Sequence, residues 1–165
     1  MEKIIKLLTS QNIPDYLVRK GIIQKTNDVI ELKELTNGNS MFVTLAEIHN
    51  FKIKKIIIRQ ALNYARVKTQ YKITSKRLNW EAIALEKYRK FVSNDILPEV
   101  ILHDDFNRVL IMKDSLGPGK YLYNEYFSGH YYLKLLRKFA VFFANLHGNS
   151  YGASKTIWMS HRMHK

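Results

Sequence analysis

Two stretches decide the fold class: I-I-I-R-Q, Ile56–Gln60, and, after a long basic loop, K-R-L-N-W-E-A-I-A-L, Lys76–Leu85. Three consecutive β-branched residues bounded by charges favour a central β-strand, which we place at Ile53–Gln60. The second stretch has apolar residues at helical spacing and predicts a helix from about Lys76 to Val92. The two stretches therefore predict a central strand followed by one helix that packs on it.

Further strands are predicted on both sides of this unit. They are Val29–Leu35, Phe42–Ile48, Val100–His103 and Val109–Met112. The first of them alternates, which predicts Val29 and Leu35 on one face and Leu32 on the other. Three strands, a helix and two strands together predict an α+β fold, with a five-stranded antiparallel sheet and one packed helix.

Helices are also expected towards both ends of the chain. A short helix is predicted at Ile13–Val18, because a proline and an acid suit its first turn and Gly21 suits the position just past its end. The clearest boundary between predicted elements is the glycine- and proline-containing segment Leu116–Gly119. Beyond it, apolar residues at helical spacing between Tyr132 and Leu146 predict a helix that Gly148 ends. We therefore expect one domain over 1–115 and a second over 116–165.

Composition narrows the class of protein. The 165 residues include no cysteine, which excludes disulfides, thiolate nucleophiles and cysteine-bound zinc. No apolar leader opens the chain, and no apolar run approaches the roughly 20 residues that span a bilayer. A cytoplasmic protein without a membrane role is the expectation.

The positive charge is concentrated in one part of the chain. The net charge is +13, and Lys52–Lys90 holds 12 lysines and arginines but only two acids, Glu81 and Glu86. Such a stretch is either a face that binds nucleic acid or a solvated surface beside a phosphate-binding cleft. It lacks the combined Arg/Gly/aromatic interleaving of such proteins and a recognisable reading helix, so the sequence favours the second interpretation.

Several residues are placed as a nucleotide site would require, since a triphosphate is held mainly by positioning and charge neutralisation. Gly38 and Asn39 occupy a turn whose backbone can approach phosphates closely, although Asn-Gly is also an ordinary hairpin turn. Arg59 offers a cation at the end of the third strand. Glu81, 22 residues later, suits the carboxylate that holds this cation in kinases. The alternative is a surface arginine and a solvated glutamate.

The end of the last strand is where a hinge would bind adenine through backbone groups. The candidate hinge residues are Met112, Lys113, Asp114 and Ser115. A buried edge strand is the alternative for this segment. His103-Asp104-Asp105 is interpreted as a solvated turn rather than a metal site, and no catalytic residue or metal ligand is assigned anywhere in the chain.

Taken together, these segments resemble the methylthioribose kinase family of the aminoglycoside phosphotransferase and choline kinase-like superfamily. Ile56–Val67 and Lys76–Leu85 resemble the family's K-Q-A-x-P-Y-x-R-V and D-R-x-x-I-E-x-x-A-L segments. Leu97–Val100 resembles its V-P-x-V, and Val109–Leu116 resembles its V-M-E-D-L hinge. Gly38-Asn39 fits its G-D-G-N turn. The resemblance covers roughly residues 13–152.

The resemblance implies a protein-kinase-like N-lobe over 1–115, followed by the first helix of a truncated C-lobe. It implies ATP as the nucleotide and magnesium as its ion. The implied reaction is phosphorylation of methylthioribose at the 1-position in methionine salvage. It also implies that Gly38, Asn39, Arg59, Glu81 and the segment Met112–Ser115 contact ATP.

Departures from the family pattern limit this expectation. Arg59 replaces a lysine, Lys113 replaces the hinge glutamate, and Asn63 replaces a proline. No H-G-D-x-H loop is present, and the only acid after Asp114 is Glu125. We therefore expect a chain that lacks the catalytic and magnesium-binding acids, is inactive alone and meets methylthioribose only if a C-lobe is supplied. The alternatives are a non-catalytic nucleotide-binding module, a module completed by a second copy or a partner chain, and a basic nucleic-acid-binding protein.

Overall fold

The computed structural model describes residues 7–35, 41–49, 53–62, 74, 76–92, 97–114, 126–129 and 132–151. Its helices are α1 (Ile13–Arg19), a short 3₁₀ helix (Thr26–Asp28), α2 (Arg77–Tyr88) and α3 (Leu133–Ser150). Its strands are β1 (Val29–Glu34), β2 (Met41–Ile48), β3 (Lys55–Ala61), β4 (Val100–Asp104) and β5 (Val109–Lys113). The predicted order of three strands, a helix and two strands is confirmed.

The strands form one five-stranded sheet in the order β1-β2-β3-β5-β4, and every neighbouring pair is antiparallel. Strand β3 lies in the middle, hydrogen-bonded to β2 on one side and to β5 on the other. Arg59 of β3 lies opposite Val43 of β2 and Leu110 of β5. The α+β class and the antiparallel sheet are therefore as predicted.

Strand β1 departs from the predicted alternation. Its register with β2 shifts between Val29 and Glu31, so that Ile30 is one extra residue in the strand. Such a β-bulge breaks the period of two. Val29 and Leu32 consequently pack against the same core cluster instead of lying on opposite faces, and Ile30 is 61% exposed.

Helix α1 covers one face of the sheet. Ile13, Tyr16 and Leu17 are buried and recur at the spacing that places them on one side of a helix. They pack with alternate residues of the central strands, Ile56 and Ile58 of β3 among them. The prediction of a single packed helix is thus wrong, because the sheet has a helix on this face as well as on the other.

Helix α2 covers the opposite face. Its buried residues Leu78 and Ala82, one helical turn apart, pack with Met41, Leu110 and Met112 of the sheet. These sheet positions have the opposite parity to those that face α1, because successive side chains of a strand point to opposite faces. Residues 57, 59 and 61 of β3 therefore lie on the α2 face.

Asp104 joins α1 to the turn between β4 and β5. It is 7% exposed, its Oδ2 lies 2.6 Å from Lys20 Nζ, and it accepts a hydrogen bond of 2.9 Å from the Tyr16 hydroxyl. Asn107 donates to it twice, from the backbone N–H at 3.0 Å and from Nδ2 at 2.7 Å. The prediction that this segment is a solvated turn is wrong for Asp104.

These contacts fix the protonation states of both acid groups. Burial by itself raises the pKa of Asp104, but the hydrogen bonds from Lys20, Asn107 and Tyr16 outweigh it and hold that pKa well below its usual range. Burial, reinforced by the bond to Asp104, raises the pKa of Tyr16 well above its usual range. Tyr16 therefore remains a neutral donor and Asp104 an ionised acceptor.

We expect Asp104→Asn to lower the free energy of unfolding at neutral pH by about 2–3 kcal/mol, because an amide loses the charge that Lys20 compensates. The native carboxylate has a lowered pKa, so its contribution is complete above about pH 4, the ordinary aspartate value, and declines as the pH falls below it. Urea unfolding at several pH values measures both effects.

Glu31→Gln is the matched control, since it makes the same change of an acid to an amide at an exposed position of β1. Its free energy of unfolding should stay within about 0.5 kcal/mol of the wild type. The role given to Asp104 would be contradicted if Asp104→Asn and Glu31→Gln had the same free energy of unfolding. It would also be contradicted if the wild type and Asp104→Asn lost the same amount of stability as the pH falls.

The chain divides into two compact units, Met1–Glu86 with Pro98–Ser115 and Lys87–Leu97 with Leu116–Lys165. In the second unit, Asn149 Nδ2 of α3 donates to the Phe91 carbonyl at 3.2 Å. Arg89 donates to the Leu97 carbonyl at 2.9 Å. The prediction that Gly148 ends the last helix is wrong, because α3 continues to Ser150.

Helix α3 carries an apolar stripe that stays exposed. Leu136, Phe139 and Phe143 recur at helical spacing and are 49%, 42% and 50% exposed, and no residue of the helix is buried. Exposed contiguous apolar side chains favour association. Within the described parts of the chain, none of the helices has the length and apolar character that crossing a bilayer requires.

We expect the purified chain to self-associate through this stripe, so that its mass in light scattering rises with protein concentration. Replacing Leu136 and Phe143 by serine should remove the rise, because both substitutions take apolar area out of the stripe. Asn145→Ser, on the polar side of the same helix, is the control and should leave the association unchanged. A wild-type chain that stays monomeric at high concentration would refute this expectation.

Candidate nucleotide-binding site

An ion pair joins the central strand to helix α2. Arg59 lies on the α2 face of β3, between Ile57 and Ala61, which pack in the cluster beneath α2. Glu81 is on α2 next to the buried Ala82, and its Oε1 accepts from Arg59 Nη1. Both side chains are partly buried, at 23% and 33% exposure. The predicted pairing of these two residues is confirmed, whereas contact with a nucleotide stays a prediction.

Met41 is a second neighbour of the Arg59 guanidinium. Arg59 Nη2 lies 3.2 Å from Met41 Sδ. Met41 opens β2, lies opposite Ala61 and is buried in the cluster beneath α2. The two terminal nitrogens of Arg59 therefore point to two different neighbours, one charged and one a soft, polarisable sulfur.

Two rows of side chains cross the α2 face of the sheet. The row that contains the cation runs Val43, Arg59, Leu110 across β2, β3 and β5. The next row is Leu45, Ile57, Met112 and is entirely apolar. Two residues along a strand separate the rows by about 7 Å. This face thus presents a cation with an apolar row beside it.

The described residues of the candidate hinge, Met112–Asp114, continue the backbone hydrogen bonding of β5. Met112 is 5% exposed on the α2 face, and Lys113 Nζ lies 4.0 Å from Glu99 Oε2. The N–H of Lys113 donates to the Glu99 carbonyl at 2.8 Å, and that of Asp114 donates to the Lys55 carbonyl at 3.0 Å. Both N–H groups are therefore already used in backbone hydrogen bonds, so that neither is available to a base.

Gln60, the residue after Arg59, faces α1. It is 2% exposed, accepts a hydrogen bond of 2.8 Å from the Leu8 N–H, and donates one of 3.2 Å to the Asn107 carbonyl. Its position explains why a polar residue follows the cation: it ties the segment before α1 to the turn between β4 and β5. Gln60 is thus a structural residue, although it belongs to the stretch that carries the resemblance.

Three of the predicted nucleotide contacts, Gly38, Asn39 and Ser115, lie outside the described residues, as does the run Asn63–Val67. The strands flanking the predicted phosphate turn do pair, with Glu34 opposite Thr44 and the Leu35 N–H donating to the Val43 carbonyl at 2.8 Å. Among the described residues, no three acidic, histidine or cysteine side chains are grouped as a metal site would need.

Sequence reasoning missed the partners of Arg59 on β2. Counting back two residues from Arg59 would have found Ile57, since alternate residues share a face. Met41, Val43 and Leu45 could not be found in this way, because their positions depend on the register between β2 and β3, which no local pattern specifies.

Comparison with models of known protein families finds no match to this sequence, and comparison with curated proteins finds none either.

The ion pair should be measurable as a coupling between its partners. We expect a double-mutant cycle of Arg59→Gln and Glu81→Gln to give a coupling free energy of about 1 kcal/mol, the upper end for partly exposed pairs. Urea unfolding of the wild type, both single variants and the double variant measures this coupling.

The pair of Lys55 and Glu47, at 3.3 Å, is the control. Its side chains are 49% and 37% exposed, so solvent screens the pair more strongly and the same cycle should give less than about 0.5 kcal/mol. A coupling at Arg59 and Glu81 no larger than this control would show that the pair does not hold α2 to the sheet.

Proposed function

We propose that this chain is the ATP-binding lobe of a small-molecule kinase of the methylthioribose kinase type. The observation that carries the proposal is the pair of Arg59 on β3 with Glu81 on α2, the helix between β3 and β4. Kinases place a cation on the third strand and its carboxylate partner on the following helix. The sheet with strand order β1-β2-β3-β5-β4 agrees with the N-lobe that the resemblance implies.

The two rows on the α2 face suit the two halves of a nucleotide. Apolar side chains flank the flat base in most nucleotide pockets. The half-buried Leu45 and Ile57 could contribute to such a surface, whereas Met112 is already packed beneath α2. The phosphates would then extend towards Arg59 in the next row. The cation neutralises phosphate charge, and Glu81 keeps it in place.

Arginine at this position changes how phosphates are held. Lysine offers a compact ammonium, whereas arginine offers a planar fork that binds two phosphate oxygens at once. The proposed lobe would therefore meet the phosphates with a fork rather than with a point charge.

We assign no residue of this chain to turnover. Phosphoryl transfer requires a carboxylate that orients the attacking hydroxyl and others that hold Mg²⁺. After Asp114 the 165-residue sequence has one acid, Glu125. We therefore propose that methylthioribose and magnesium bind only if a catalytic lobe is supplied.

We expect the purified chain to bind ATP saturably in isothermal titration calorimetry and to form no phosphorylated methylthioribose when ATP, Mg²⁺ and the sugar are added. Arg59→Met should weaken ATP binding at least about tenfold, since a charge-assisted contact to phosphate is lost. Lys54→Met, at an exposed position just before β3, is the control and should retain wild-type affinity.

Absence of saturable ATP binding by the wild-type chain would reject the proposal, and clear turnover would reject the expectation that the chain is inactive alone. Binding of single-stranded or duplex nucleic acid, tested in parallel, distinguishes the basic-protein alternative. Its affinity would fall steeply between 50 and 200 mM salt, because counterions are released at many phosphates.

A further inference from the structure

The guanidinium of Arg59 is held at two points. Nη1 donates to the Glu81 carboxylate, and Nη2 lies 3.2 Å from Met41 Sδ. Met41 is 8% exposed and packs in the same cluster as Leu78 and Ala82 of α2. Its sulfur consequently occupies a fixed position beside the cation.

The second contact matters because a guanidinium is planar. One contact at Nη1 leaves the plane free to tilt about that contact, whereas contacts at both terminal nitrogens fix it. A fork binds a phosphate through two N–H groups in that plane, so the orientation decides whether both reach their oxygens. A lysine ammonium has no plane, and a strand lysine would need no second contact.

A thioether suits this task, because it accepts hydrogen bonds only weakly. It orients Nη2 without competing strongly against a phosphate oxygen for the remaining N–H groups. A guanidinium has five N–H donors, of which the Glu81 and Met41 contacts use two. Among the described residues, these two are the side-chain partners of Arg59.

We propose that Met41 is a positioning residue for nucleotide binding, which sets the plane of the Arg59 guanidinium so that the fork meets the phosphates of ATP. This inference rests on the proposed function and extends it to a residue on β2. It also accounts for the burial of a sulfur-containing side chain directly beside the cation.

The test is Met41→Leu, which conserves volume in the cluster and removes the sulfur. In the wild-type background we expect ATP to bind about threefold to tenfold more weakly in calorimetry, because the guanidinium must then be ordered on binding. In an Arg59→Lys background the same substitution should leave the affinity unchanged, since an ammonium has no second nitrogen for the sulfur to hold. Thermal unfolding of all four proteins reports any loss of packing.

A measurement without nucleotide separates this inference from the proposed function. In ¹⁵N NMR, restricted rotation should keep the two Nη groups of Arg59 distinct in the wild type, and Met41→Leu should make them average. If the wild type binds no ATP but the signals behave in this way, the proposed function fails and the orienting contact stands. Unchanged NMR signals and affinity in Met41→Leu, or an equal loss of affinity in the Arg59→Lys background, would overturn the role of Met41.

Discussion

Strand β3 is hydrogen-bonded along both edges, and this double pairing constrains the whole first unit. A strand held on both sides cannot turn about its axis, so its alternate side chains are committed to opposite faces. Ile56, Ile58 and Gln60 belong to the face covered by α1, while Ile57 and Arg59 belong to the face covered by α2. The larger core cluster and the candidate site therefore lie on opposite faces of the same strand, and a smaller core cluster lies beside the site beneath α2.

On each face of the sheet, the helix is held by a polar contact as well as by apolar packing. On the α1 face, Asp104 gathers donors from the helix and from the turn between β4 and β5. On the α2 face, Glu81 receives the guanidinium of β3. Apolar packing brings the layers together without fixing their direction, whereas these directional bonds specify how each helix lies on the sheet.

The sequence predicts features that depend on short segments. The strand at Ile56–Gln60 and the following helix follow from local periodicity. The spacing of 22 residues between Arg59 and Glu81 allowed a pair but equally allowed two solvated side chains, and the structure shows the pair. The sequence could not predict the burial of Asp104. Its donor Tyr16 lies 88 residues away in the sequence and is brought near only by folding. The bulge at Ile30 and the place of Met41 depend on strand register, which has no local signal here. The nucleotide role of Arg59 stays a proposal, because Gly38, Asn39 and Ser115, which are predicted to share it, lie outside the described residues.

Strand β1 is the outermost strand on one side of the described sheet, and its β-bulge works against pairing with another chain. A flat, unpaired strand is a template on which another chain can build a continuous intermolecular sheet, the first step towards a fibril. The bulge at Ile30 interrupts that template, and Glu31, Lys33 and Glu34 place charges along the part that remains regular. Edge-to-edge polymerisation through β1 is therefore disfavoured.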